Sequence, residues 1–202
     1  MSLTSFLRKN ADVRERFRKE FKKPRLNVQK ELLAPPMSTR YAMVGTAFDY
    51  LLRFQLHFLN PNAIERGDWV AESALDRIRD NPELLAKGQA IVSQARERLR
   101  AYPNTGQMSE ELMASSLLLA QLDVIFRAGT GHKYIGMVHA EDLQDLRNLI
   151  SCVDLDAFKA KERCLLNPTF GNASILVGGA DADLVIDDTI VEVKTTKKLQ
   201  LI

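Results

Sequence analysis

The chain has 202 residues, 46% hydrophobic and 27% charged, with a net charge of +2. That is enough to bury the core of one ordinary domain, and the composition is neither disordered nor fibrous. No apolar run approaches the ~18 residues of a membrane span, and the N-terminus lacks the apolar core and cleavage site of a secretory signal. Two cysteines, Cys152 and Cys164, are too few for a disulfide scaffold, a four-cysteine zinc site or a cysteine-ligated iron–sulfur cluster. Both are expected as buried thiols of a cytoplasmic protein.

The first 160 residues read as helical. A segment Thr4–Lys23 carries Phe6, Leu7, Val13, Phe17 and Phe21 among basic residues and is stopped by Pro24. Residues 1–30 hold ten Lys/Arg against three Asp/Glu, leaving 18 basic and 23 acidic residues elsewhere. A basic arm on an acidic body fits a polyanion partner, with Arg14, Arg18, Lys22 and Lys23 as candidate phosphate contacts. It fits a solvated surface helix equally well. Asn27–Pro36 is read as a linker, because Pro35–Pro36 cannot sit inside a helix. Further helices are predicted over Thr39–Leu59, Trp69–Arg79, Pro82–Tyr102, Glu110–Arg127 and Glu141–Lys161, with Gly129–Gly136 a loop or short strand. The run Leu117–Leu122 is expected to be buried.

From Cys164 onward the pattern changes to β-branched, alternating residues with Gly punctuation, giving strands Ser174–Val177, Asp181–Ile186 and Thr189–Thr195. The predicted class is α/β, with α+β character: a large helical N-terminal part and a mixed sheet near the C-terminus. Two units follow, an arm and linker over 1–36 and a domain over 37–202, helical to 161 and β from 162. A sheet of three strands needs helices to cover it, or further chain beyond Ile202.

The chemistry concentrates in residues 178–194. A hairpin turning at Asp187–Asp188, as a two-residue turn or as the centre of a four-residue one, pairs residues whose numbers sum to 375, which sets Asp183 opposite Glu192 and Asp181 opposite Lys194. All four project from one face, while Ala182, Leu184, Ile186, Val191 and Val193 form a core face. Opposed carboxylates about 4.5–5.5 Å apart repel. A divalent cation with oxygen ligands, Mg²⁺ or Mn²⁺, relieves that repulsion, and Lys194 beside it can orient a nucleophilic water or stabilise charge on phosphorus. Gly178, Gly179 and Ala180 leave room for a ligand to approach. The same spacing also fits a plain Asp181–Lys194 cross-strand ion pair, worth under about 1 kcal/mol. Glu-x-Lys alone carries nothing, since Glu20-Phe-Lys22 matches it within the basic helix.

The arrangement Ala182-Asp183-Leu184 followed by Glu192-Val193-Lys194, with Glu192 nine positions after Asp183, resembles the PD-(D/E)XK nuclease superfamily, with Ala182 in place of the proline. The resemblance implies a restriction-endonuclease-like core in which Asp183 and Glu192 hold the metal and Lys194 is the catalytic lysine. The Val193 carbonyl and Asp181 would assist. A weaker likeness, Gly45-Thr-Ala-Phe-Asp49-Tyr-Leu-Leu-Arg53, is similar to the helix of RecB-type and lambda-exonuclease-like domains. Asp49 and Arg53 stand at that pattern's His and Glu positions. By that likeness Asp49 reaches a metal and Arg53 meets phosphate, whereas on its own the segment reads as an amphipathic core helix. The Gln…Tyr helix that follows the lysine in that subgroup is missing from the eight residues after Lys194, which makes the domain read as incomplete.

The expectation is therefore a Mg²⁺-dependent deoxyribonuclease with DNA as partner, no membrane, and room for a protein partner or homo-oligomer. Its alternative is a non-catalytic nucleic-acid- or protein-binding module on the same fold. His57, His132 and His139 lack zinc-ligand spacing, Gly129–Lys133 lacks the Walker pattern, and no Gly-x-Ser-x-Gly elbow occurs.

Overall fold

Helices with continuous apolar stripes dictate the architecture. The computed structural model describes residues 3–20, 32–65, 68–129, 134–176 and 181–195. In chain order its helices are α1 (Leu3–Lys9), α2 (Ala11–Glu20), α3 (Tyr41–Leu59), α4 (Val70–Arg77), α5 (Pro82–Thr105), α6 (Glu110–Ala128), α7 (Ala140–Ser151) and α8 (Asn172–Leu176). The strands are β1 (Ile64–Glu65), β2 (Cys164–Leu166), β3 (Leu184–Ile186) and β4 (Thr189–Val191). They form one mixed sheet in the order β1-β2-β3-β4, parallel between β1 and β2 and antiparallel elsewhere. The predicted helical front and β C-terminus are thus present, in a mixed α/β fold. None of the described helices is long and apolar enough to cross a membrane.

The α3 and α6 helices cross at the centre of the core. Residues 50–52, 54 and 56 of α3 meet Leu117, Leu119, Leu122 and Ile125 of α6, all nearly or fully inaccessible. The expected buried run Leu117–Leu122 is this core segment, with Leu118 only partly covered. Asn81 and Ser109 cap α5 and α6 by accepting from Leu84 N and Leu112 N. The sheet lays Leu166, Leu184 and Ile186 against the same core, with Val191 and Val193 partly buried on it. With Ala182 also buried, the predicted core face of the hairpin is in place. Val185, on the other face, is buried as well, so that face is not wholly wet.

Several boundaries differ from the sequence reading, each for a local reason. The segment Thr4–Lys23 divides at Asn10, whose side-chain amide donates to the Phe6 carbonyl at 2.8 Å beside its own backbone N–H at 3.1 Å; Lys22 and Lys23 lie outside the described residues. The helix expected to reach Lys161 stops at Ser151. There Asp154 accepts from Asp156 N and starts a 3-10 turn over Leu155–Phe158. The expected strand Ser174–Val177 is instead α8, which exposes Ile175 and Leu176, with Val177 undescribed. Strand β1 was not foreseen, and β2 appears where the β pattern begins. Cys164 is buried as expected, but Cys152 is exposed beyond the end of α7.

Two buried carboxylates on α7 anchor the approach to α3. Asp145 accepts from Met37 N at 2.8 Å and Ser38 N at 2.9 Å, while Asp142 accepts from Arg40 Nε at 2.8 Å. A third, Asp123 of α6, accepts from the Tyr50 hydroxyl at 2.7 Å, and that hydroxyl accepts from Ala71 N at 3.2 Å. Burial pushes Asp123 up to about 6, against the Tyr50 hydrogen bond and the Arg127 and Arg53 charges, which pull it down.

This predicts a pH effect. A carboxyl whose folded pKa lies above its unfolded value favours the fold while protonated. That contribution is lost as pH rises from about 4 through about 6. Asp123→Asn keeps an acceptor for Tyr50 and cannot ionise. It should therefore match the wild type below pH 4 and exceed its stability above pH 7 by about 2 kcal/mol. Urea unfolding at pH 4 and 7.5 checks this, and an unchanged gap between the two proteins would refute it.

Candidate active site

The β3–β4 hairpin has the predicted register: Leu184 pairs with Val191, Val185 with Ile190 and Ile186 with Thr189. Its tip is held by Asp187, at φ 53°, whose carboxylate accepts from the backbone N–H groups of residues 161, 162 and 163. Those three N–H bonds hold the Asp187 carboxyl below the usual range. An Asp is suited here because it tolerates the left-handed region and its short side chain returns to backbone.

Beyond Leu184↔Val191 the ladder yields to a side chain. Asp183 Oδ2 accepts from Val193 N at 2.6 Å, so the β4 ladder ends at Val191 although the sequence pattern runs on to Thr195. Lys194 ion-pairs with Glu192 and sits with Nζ 3.9 Å from Asp183 Oδ2. Asp183, Glu192 and Lys194 therefore meet at one half-exposed spot, and Val193 enters it through its N–H. Burial raises the Asp183 pKa, and the Glu192 and Asp49 carboxylates raise it further against the Val193 and Lys194 contributions.

Helix α3 brings Asp49 to this cluster. At Gly45, one turn before Asp49, any Cβ would collide with the Thr195 side chain. The bare glycine lets the end of the hairpin lie on the helix that carries Asp49, whose charge contributes to raising the Asp183 pKa. Asp49 is itself held by Arg53, Nη2 to Oδ2 at 2.8 Å.

Arg53 is almost fully buried. Its other terminal nitrogen donates to Glu65 Oε1 on β1 at 3.0 Å, and its guanidinium lies over the Tyr50 ring at 4.7 Å. Burial lowers its pKa, but the Asp49 and Glu65 charges outweigh that and raise it. Burial likewise pushes Glu65 up, and the His57 hydrogen bond at 3.3 Å with the Arg53 charge brings it below its ordinary value. Arg53 was expected to meet phosphate. The structure instead holds it, nearly buried, between the Asp49 and Glu65 carboxylates.

The remaining candidates scatter. Asp181 is exposed and forms a bridge with Thr169; the lysine expected to face it, Lys194, pairs with Glu192 and Asp183 instead. Arg18 is exposed on α2 and Arg14 is partly covered there. Gly178–Ala180, Lys22, Lys23 and His132 are outside the described residues. Sequence reasoning missed Glu65 and His57, yet α3 carried a signal for one of them. Gly45, Asp49, Arg53 and His57 recur every four residues, one stripe on an otherwise apolar helix.

Among the described residues no group of three or more His, Cys, Asp or Glu is arranged to hold a metal ion. The Lys194 ammonium lies between Glu192 and Asp183 and supplies the positive charge that two neighbouring carboxylates require. Asp183 and Glu192 offer carboxylate oxygens, the donor type that hard divalent cations take, with Lys194 occupying the place between them. Comparison of the chain with protein-family models, with curated proteins and with solved structures gives no match.

Proposed function

We propose that this chain is a metal-dependent nuclease domain that hydrolyses DNA phosphodiester bonds. The observation that carries the reading is convergence: the hairpin brings Asp183, Glu192 and Lys194 to one spot, and Gly45 of α3, one turn before Asp49, lies against Thr195 at the hairpin's end. The likeness of Asp183, Glu192 and Lys194 to the PD-(D/E)XK pattern supports it, and gives DNA as the substrate.

In this reading Asp183 and Glu192, with Asp49, would hold Mg²⁺ or Mn²⁺, and such a cation would supply a water of lowered pKa and neutralise charge on the phosphate. Arg53 fixes the Asp49 carboxylate in place through its 2.8 Å contact. The Val193 N–H fixes the Asp183 carboxylate at 2.6 Å, leaving its other oxygen available. Lys194, displaced from between the carboxylates, holds the attacking water or the phosphate oxygen on which charge develops. Basic residues of the arm, Arg14 and Arg18 among them, make phosphate contacts whose strength falls with salt.

One observation favours a second reading, a binding module without catalysis. Lys194 already neutralises the carboxylate cluster, so the folded chain does not require a cation there. Thermal melting separates the two. Titration with Mn²⁺ should raise the melting temperature of the wild type with saturation, and Asp183→Asn should abolish the rise. An Asp183→Asn variant that responds to Mn²⁺ as the wild type does would leave the cluster without a metal role.

A further inference from the structure

We propose that the apolar cavity beside Lys194 receives an unstacked nucleobase, so that the substrate class is a single strand or a frayed end and not an intact duplex. The proposal rests on the nuclease reading for the position of the phosphate. The cavity, of about 790 Å³, is bounded by Leu32–Ala34 and Pro36, by Tyr41 and Phe48 of α3, by Phe158 of the 3-10 turn, and by Val193–Thr195. Its volume lies in the range of small-molecule sites, roughly 300–1,000 Å³. Lys194 belongs both to this lining and to the carboxylate cluster, so a group bonded to a phosphate at the cluster lies beside the cavity.

The chemistry of the walls decides which group enters. Asp145 and Asp154 line the cavity too, and two carboxylates in an apolar hollow repel a phosphate. Lys194 at its edge attracts one. A phosphate therefore stays at the mouth, and the flat apolar face of a base fits against Tyr41 and Phe48, the contact that single-strand binders use. A base paired within a duplex reaches such a hollow only by leaving the stack, at a cost of a few kcal/mol.

The test measures binding and cleavage separately on the full chain. Fluorescence anisotropy with Ca²⁺ in place of Mg²⁺ compares a labelled single strand, the same strand carrying abasic nucleotides, and the blunt duplex. The base-bearing strand should bind about tenfold more tightly than either of the others. Ala157→Trp, at an exposed position on the cavity wall, and Tyr41→Ala, 64% exposed in the wild type, should each remove most of that difference. Equal affinity for base-bearing and abasic strands overturns the proposal, as does a difference that survives both variants. Cleavage is then scored on the same oligonucleotides with Mg²⁺. Cleavage without base preference defeats this inference and leaves the nuclease reading standing; base preference without cleavage of any substrate does the reverse.

Discussion

Replacing Arg53 with methionine is expected to lower the unfolding free energy by about 3–5 kcal/mol, the scale for breaking a buried ion pair on one side. Methionine fills similar space, so packing changes little, but two carboxylates lose their shared counter-charge. Glu65 on β1 keeps only His57 and the Trp69 Nε1 contact at 3.3 Å, and Asp49 faces Asp183 without restraint. The loss has a direction in pH. In the wild type Glu65 titrates below its ordinary value, so its contribution is present above the unfolded carboxylate pKa and disappears as pH falls through the folded one. Without Arg53, burial raises the Glu65 pKa, and the variant should be least stable relative to wild type near pH 8 and recover toward pH 4. Arg53→Lys should restore only part of the loss, because one ammonium cannot reach two carboxylates as the guanidinium fork does. Urea unfolding of the three proteins at both pH values decides the matter; a deficit under 1 kcal/mol at pH 8 would mean that the network is ornamental.

Lys194→Ala is expected to reduce DNA cleavage by about 10²–10³ while hardly changing stability, since the side chain is 54% exposed. The same substitution should strengthen metal binding. Removing the ammonium from between Glu192 and Asp183 leaves two unneutralised carboxylates, so the Mn²⁺-induced rise in melting temperature should begin at lower metal concentration than in the wild type. This pairing of opposite effects separates a catalytic lysine from a structural counter-ion. A lysine serving only as counter-ion would strengthen metal binding on removal with no loss of cleavage. Linear and circular, single- and double-stranded DNA with Mg²⁺ or Mn²⁺ supply the substrates for the rate comparison.

The hairpin was readable because three local signals agree: alternation on both strands, a two-residue Asp187–Asp188 tip, and a core face that only one register buries. Helix α3 was readable for the same reason, its apolar stripe leaving little choice of period. Strand β1 was not, because two residues carry no period and Ile64–Glu65 is defined only by lying parallel to β2. The early end of β4 was hidden as well, since it depends on a side chain, Asp183, capturing the Val193 N–H. The cluster at the hairpin could be assembled from spacing, but the partnership of Arg53 with Glu65 could not. It joins a helix to a strand after an intervening turn, and nothing in either segment names the other.

The fastening of Asp187 to residues 161–163 has a practical corollary. Between β2 and β3 the chain leaves the sheet after Leu166, which pairs with Leu184, and Thr169 bridges to Asp181. The strands on either side are fixed by their own pairing and by the Asp187 contacts at the far end of β3. Lengthening a loop whose ends are already pinned costs little, about 0.6 kcal/mol per doubling. Ile175 and Leu176, exposed at the end of α8, are therefore the natural position for grafting an epitope or reporter peptide, leaving the hairpin that carries Asp183, Glu192 and Lys194 undisturbed.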